Sequence, residues 1–274
     1  MGFELESKTR YKKRLRPQLL KIATWNVNSL RMRLSQVLQW LTTEQPDVFA
    51  LQETKITDDQ FPLEAIEAAG YCAHFSGQPS YNGVATLTKR PASRIATELP
   101  GYLDPERRVL VQYYGNLVIA NFYVPNGVAI GSDKYRYKLE WLDALRAYVA
   151  QLLTENSLLV ALGDFNIAPE DRDVHDPELW RDKVLVSEPE RQALQRLLAE
   201  GLNDSFRLFD QVPASFSWWD YRAGAFRRNQ GLRIDLILVS RALARGCISC
   251  SIDKTTRHRE KPSDHAPVVA TFEL

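Results

Sequence analysis

The sequence predicts an α/β fold, and three observations carry the prediction. Leu158-Leu159-Val160-Ala161-Leu162 is a short apolar run rich in branched side chains, the mark of a strand buried on both faces. Similar runs alternate with segments of helical period, first at Leu30, Leu34, Val37, Leu38 and Leu41. The runs also end in polar residues. Gly163-Asp164-Phe165-Asn166 closes the Leu158 run, and side chains two apart on a strand share a face. Asp164 and Asn166 are therefore expected to project together from the strand's C-terminal edge, where ligands sit in open α/β sheets. Gly163 admits a close approach to the backbone, and Pro169 ends the regular geometry.

Taken in order, residues 1–18 are polar and basic and read as a flexible tail ahead of a single domain, 19–274. Leu19 to Trp25 is the first strand, followed by Asn26 and Asn28. Ser29 to Thr43 is a helix closed by Pro46, and Asp47 to Leu51 a strand ending in Gln52-Glu53-Thr54-Lys55. Tyr71 to Phe75, Gly83 to Thr88 and Arg94 to Thr97 read as further strands. Arg107 to Tyr114 and Leu117 to Val124 flank Gly115-Asn116, a hairpin signal. Lys134 to Leu153 is a long amphipathic helix, and Glu188 to Ala199 another. The last third alternates loop and strand at Phe216 to Trp218, Leu232 to Val239, Gly246 to Ile252 and Val268 to Phe272.

Composition narrows the function classes. The chain has 274 residues, 45% hydrophobic and 25% charged, and a net charge of +1, so nucleic-acid binding must rest on local basic patches. No stretch approaches the roughly 20 apolar residues of a membrane span, and no apolar signal-peptide core stands at the N-terminus. A cytoplasmic monomer with no membrane partner is expected. Three cysteines, Cys72, Cys247 and Cys250, argue against a disulfide framework. Cys247 and Cys250 fall on a strand, where such a spacing points to opposite faces, so they read as structural thiols.

Five segments join an apolar strand to polar residues: Trp25-Asn26-Val27-Asn28, Leu51-Gln52-Glu53, Gly163-Asp164-Phe165-Asn166, Arg233-Ile234-Asp235 and Ser263-Asp264-His265. Hard oxygen ligands without cysteine clusters suit Mg²⁺ or Mn²⁺. Phosphodiester hydrolysis needs a positioned water, charge neutralisation on the phosphoryl oxygens and help for the leaving oxygen. The chain offers carboxylates for metal and water, His265 for the phosphoryl group, and Asn26, Asn166 and Tyr123 as donors. Asp235 can orient His265. Pro262 and Pro267 put Asp264 and His265 on a loop, where both reach one pocket.

At these residues the chain resembles the exonuclease III family of abasic-site endonucleases, within the endonuclease/exonuclease/phosphatase superfamily. The matching segments are Trp25 to Arg31, Leu51 to Lys55, Asn121 to Asn126, Gly163 to Ala168, Phe216 to Arg222, Gly231 to Asp235 and Ser263 to Pro267, in the family's order. The resemblance implies a four-layer α/β sandwich, two packed mixed sheets flanked by helices. It implies Glu53 as metal ligand, with Asn26 and Asp264 close to the metal. Asp164 would activate the attacking water or serve the leaving oxygen, and Asn166 and Tyr123 would hold the phosphate. Asp235 and His265 would stabilise the transition state, and Trp218 would line the pocket for a flipped-out sugar.

Arg222, Arg227, Arg228 and Arg233 interleave with aromatics between Phe216 and Arg233, a pattern suited to phosphate contact and stacking. Trp218 and Trp219 are adjacent, so one is expected to face outward. Expected DNA contacts are Arg31, Asn126, His175, Trp218, Phe226, Arg227 and Arg228. The acidic loop Pro169 to Pro177 carries His175, bulky where relatives can have a smaller residue. His175 is expected to favour 3′-terminal work over internal abasic cleavage; the competing reading is a solvated loop residue. The expected enzyme is a Mg²⁺-dependent DNA repair nuclease acting on duplexes with abasic sites, nicks or 3′ ends. The alternatives are a phosphodiesterase of RNA or small phosphoesters, and a DNA-end-binding protein without catalysis.

Overall fold

The structure, a computed structural model, describes residues 19–274; the basic tail read at 1–18 lies outside them. β1 (Leu19–Asn26) leads through α1 (Leu30–Glu44) to β2 (Val48–Gln52). α2 (Leu63–Ala68) precedes β3 (Cys72–Ser76) and β4 (Val84–Thr88). Next come β5 (Arg94–Ala96), β6 (Val109–Tyr114), β7 (Leu117–Tyr123), α3 (Asp133–Glu155) and β8 (Leu158–Asp164). α4 (Pro177–Trp180), α5 (Glu188–Ala199), β9 (Leu202–Asp204), β10 (Asp235–Ser240), α6 (Arg241–Ala244), β11 (Cys247–Ile252) and β12 (Val268–Glu273) complete the order.

The strands form two six-stranded mixed sheets, β11-β12-β1-β2-β4-β3 and β5-β6-β7-β8-β10-β9. β1 and β2 are parallel, as are β7 and β8, and their neighbours run antiparallel. Ile22, Val48 and Ala270 from one sheet meet Ile119, Val160 and Ile237 from the other in an apolar layer. The outer face of the first sheet packs under α1 through Trp25, Leu30, Val37 and Trp40. The outer face of the second packs under α3 and α5 through Trp141, Leu145, Leu194 and Leu197. Each sheet is covered on both sides, which is why its central strands read as continuous apolar runs. This is the four-layer sandwich expected.

Some local readings change. Phe216 to Trp218 is not a strand: Trp218 makes only isolated bridges to Leu232 and His265. The strand read from Leu232 begins at Asp235. α1 is closed by Gln45, not Pro46; Gln45 turns left-handed and donates its amide to Leu41. A register shift between Cys247 and Ser249 inserts one residue into β11, so Cys247 and Cys250 face the same inter-sheet core and not opposite faces. Both remain free thiols, Cys250 buried and Cys247 half-buried. Among the described residues no helix is long and apolar enough to cross a membrane.

Candidate active site

The polar segments converge on one edge of the sandwich. Three of them follow strands β1, β2 and β8; the other two precede β10 and β12. β10 runs antiparallel to β8 and β12 antiparallel to β1, so their beginnings lie beside the others' ends. Register sets Tyr123, Asp164 and Asp235 side by side across β7, β8 and β10. Gly163 is required here: at φ 139°, a Cβ would stand 1.9 Å from the Phe122 carbonyl oxygen. What approaches closely is thus the neighbouring strand.

Asn26 ties the two sheets together. Its Nδ2 donates to Glu53 Oε1 and to Asp164 Oδ2, both at 2.9 Å, while its Oδ1 accepts the Asn28 amide at 2.9 Å. Its amide hydrogens therefore face the carboxylates. Glu53, Asp164 and His265 bring one ligand atom each within 4.8 Å of one another. His265 Nδ1 lies 2.9 Å from Asp235 Oδ2, and its Nε2 lies 3.8 Å from Asp164 Oδ2. Phe165 donates its amide to Ile234, and Asn166 turns left-handed, so its approach to Asp164 comes from a turn and not from strand alternation. The Asn166 amide donates to Asp164 Oδ1 at 2.9 Å, and Asn126 Nδ2 donates to Asn166 Oδ1 at 3.0 Å. Asn28, Ser29, Glu53, Lys55 and Asn166 all hold positive φ, a local cost that packing sustains around functional sites.

The electrostatics follow from burial and neighbours. Burial raises Asp164, and Asp235 and Glu53 add to the effect against the opposing pull of His265 and Asn26, leaving it at about 7. Burial opposes a charge on His265, but Asp235 and Asp164 outweigh it and push it up to about 10. Burial would raise Glu53, yet the Lys55 ammonium at 2.8 Å and the Asn26 amide hold it below the ordinary carboxylate range. Tyr123 is kept neutral by burial and by the Glu53 carboxylate it faces.

Asp264 stands beside this cluster and not within it. Its Oδ2 accepts Trp218 Nε1 at 3.0 Å and its Oδ1 accepts Asn28 Nδ2 at 2.9 Å, so it holds Trp218 in place. Trp218 is half-buried while Trp219 is fully buried, as adjacency requires. His175, Trp180 and Trp218 form a row of edge-to-face rings 6.3 Å apart. Asp173, two residues before His175, turns its carboxylate inward to Arg233 and Arg207. Arg233 is fully buried on Asp173 and Asp204 and does not join the basic face. Phe226 packs between Trp219 and His258 as the anchor of its loop, whereas Arg227, Arg228 and Arg31 are exposed.

Several supporting residues escape sequence reading. Ser217 Oγ accepts the amides of Ile234 and Asp235, and Ser263 Oγ donates to the Asn26 carbonyl at 2.7 Å. Lys138 is buried in α3; it bonds the Asn166 carbonyl at 2.7 Å, the Asn126 carbonyl at 3.1 Å and the Glu190 carboxylate. Only Lys55 carried a signal, its place in the Gln52-Glu53-Thr54-Lys55 segment.

The pattern of the endonuclease/exonuclease/phosphatase family matches residues 23–265. The chain is 36% identical to exodeoxyribonuclease III of Haemophilus influenzae over 266 residues, covering 92% of this chain and 100% of that one. Structures of NExo from Neisseria, one described as a 3′-5′ exonuclease and one as a 3′ phosphatase bound to a product DNA hairpin, superpose with a TM-score of 0.91 at 44% identity over 93% of this chain and 100% of that one. An AP endonuclease from Archaeoglobus fulgidus superposes with a TM-score of 0.90 at 38% identity, over 93% of this chain and 100% of that one. The chain belongs to the endonuclease/exonuclease/phosphatase family and is a hydrolase of the exonuclease III type.

Proposed function

We propose that this chain is a Mg²⁺-dependent DNA repair phosphodiesterase that works on duplexes at 3′ ends, nicks and abasic sites. The observation that carries the reading is the cluster of half-buried Glu53 with buried Asp164 and His265 at the sandwich edge; the basic residues Arg227 and Arg228 lie a few positions along the chain from Trp218. DNA as substrate agrees with what its relatives act on.

The donor set suits a hard divalent cation. Glu53 supplies a carboxylate oxygen, and the Lys55 ammonium on Glu53 marks a place where positive charge is already held. Bound there, the ion would neutralise charge on the phosphoryl oxygens. His265, paired with Asp235, carries its own positive charge and is a donor toward a phosphoryl oxygen, not a metal ligand. Asp164, near neutrality, is matched to taking a proton from an attacking water. Asn166 and Tyr123 supply the remaining polar groups around the phosphate. Trp218 gives an apolar wall for the sugar at the cleaved bond.

The test is one incubation series: an internal abasic duplex, a 3′-phosphate nick and a recessed 3′ end, each with Mg²⁺, Mn²⁺ or EDTA, beside RNA and a small phosphodiester. Metal-dependent turnover of at least one DNA substrate is expected. Full activity in EDTA would remove the metal from the reading, and preference for RNA or the small ester would remove DNA.

A further inference from the structure

The turn Lys254–His258 and the residues up to Pro262 run beside α1 from the rim of the site. Four bonds tie this segment, with Asp253 just before it, to α1. The Pro262 carbonyl accepts Arg33 Nη2 at 2.9 Å, and the Glu260 carbonyl accepts Gln36 Nε2 at 2.8 Å. Arg259 bonds the Gln39 side chain, and Trp40 Nε1 donates to Asp253 Oδ2 at 2.9 Å. From Arg33 to Trp40 the helix rises about 10 Å, so the segment reaches that far from the pocket.

The segment is also fastened to the loop that carries Arg227 and Arg228. Phe226 meets His258 with ring centroids 5.0 Å apart, and the buried Arg257 guanidinium lies 4.9 Å from the Phe226 ring and 5.8 Å from those of Trp219 and Tyr221. This cation–aromatic base holds both segments in one surface. On its outside Lys254 and Lys261 are exposed and Arg259 is half-buried. None of the three forms an ion pair among the described residues, whereas Arg136 and Arg181 on other surfaces each do. Glu260 is the only acidic residue from Lys254 to Pro262. In a chain of net charge +1, such a concentration is a local feature that favours a polyanion.

We propose that Lys254, Arg259 and Lys261 form a second phosphate-binding track, which grips the backbone of duplex DNA beyond the nucleotides that enter the site. The inference rests on DNA being the substrate. At one phosphate per strand every 3.4 Å or so, about 10 Å of track spans roughly three base pairs. The contacts carry no sequence information; they set register and raise affinity for longer duplexes.

Equilibrium binding by fluorescence anisotropy tests this, in EDTA, from 50 to 200 mM salt, with the parent and a Lys254→Gln/Arg259→Gln/Lys261→Gln variant. The probes are a nicked duplex extending about ten base pairs on each side, and two versions cut back to about two base pairs on one side or the other. Each phosphate contact contributes about 0.9 to the slope of log K against log salt. On the long duplex the variant's slope is expected to fall by about 2 to 3. On one of the shortened duplexes, the one lacking the gripped arm, the two proteins should differ far less. An unchanged slope on the long duplex would overturn the track, as would an equal loss on all three probes. A parent that neither binds nor cleaves DNA would overturn the DNA reading itself, a separate outcome.

Discussion

Asp164 accepts hydrogen bonds from Asn26 and Asn166 and faces His265, and its chemistry depends on all three. Asp164→Asn keeps the shape and removes the basic oxygen. Turnover should fall about 10²–10⁴-fold, the usual weight of a general base, while DNA binding stays near the parent's. Single-turnover rates and binding isotherms check this, and near-parental turnover would take Asp164 out of the mechanism. The His265 pair gives a second expectation, on stability. His265 gains partners on folding and titrates near 10 in place of 6.5, so its proton contributes stability that is complete below 6.5 and lost as pH rises toward 10. Asp164, raised from 3.8 to about 7, works in the same direction at lower pH, since its buried charge costs more as it ionises. In EDTA the melting temperature should therefore drop from pH 6.5 to 10, and His265→Gln should flatten that drop. A parent with a flat profile would show the pair to be energetically silent. These residues were legible because carboxylates, amides and a histidine at strand termini are few and chemically distinctive. Ser217 and Ser263 were not, since a serine that accepts a backbone amide looks in sequence like any other.

Lys138 shows how an element holds the site. α3 reads as an ordinary amphipathic helix, but Lys138 lies on its buried face, with its ammonium shared between Glu190 of α5 and the carbonyls of Asn126 and Asn166. Burial pulls its pKa down while Glu190 opposes the shift. Lys138→Met would leave Glu190 buried with only Ser187 and the Leu185 and Ser187 amides as donors. Removing one partner of such a pair costs about 3–5 kcal/mol, so denaturant unfolding should show a loss of that size. A loss within the roughly 0.5 kcal/mol of a surface change would mean that the pair contributes little. No sequence pattern distinguishes this lysine from Lys134, which stands exposed on the same helix. The longer elements were legible for the opposite reason: apolar period alone specifies α1, α3, α5 and β8. β9, three residues long, and the extra residue in β11 escaped, because neither changes the period over a readable window. Phe216 to Trp218 looked like a strand because it is apolar and aromatic; it packs as loop, with Ser217 turned inward to the Asp235 backbone.

At the scale of the whole molecule, the question is how a duplex crosses the edge where both sheets end. Three rings stand in a row, His175, Trp180 and Trp218, with His175 fixed by bonds from its amide and its ring to the Gly231 carbonyl. His175 therefore stands at a set place, with Trp180 between it and Trp218, the residue proposed above to wall the sugar. Cleavage inside a strand needs DNA to continue on both sides of the pocket and to bend, and bending through 40–90° costs on the order of 1–6 kcal/mol, recovered only through added contacts. A 3′ end needs room on one side only. A ring at the rim that blocks part of the path thus penalises internal cleavage more than terminal work. His175→Gly removes the ring and keeps the backbone amide that bonds Gly231. Measured on one duplex carrying either an internal abasic site or a 3′-phosphate nick, the ratio of the two rates should shift toward internal cleavage by about tenfold, the kinetic equivalent of roughly 1.4 kcal/mol. An unchanged ratio would leave His175 as packing for Trp180, and strong abasic cleavage by the parent would show that the ring never stood in the strand's way.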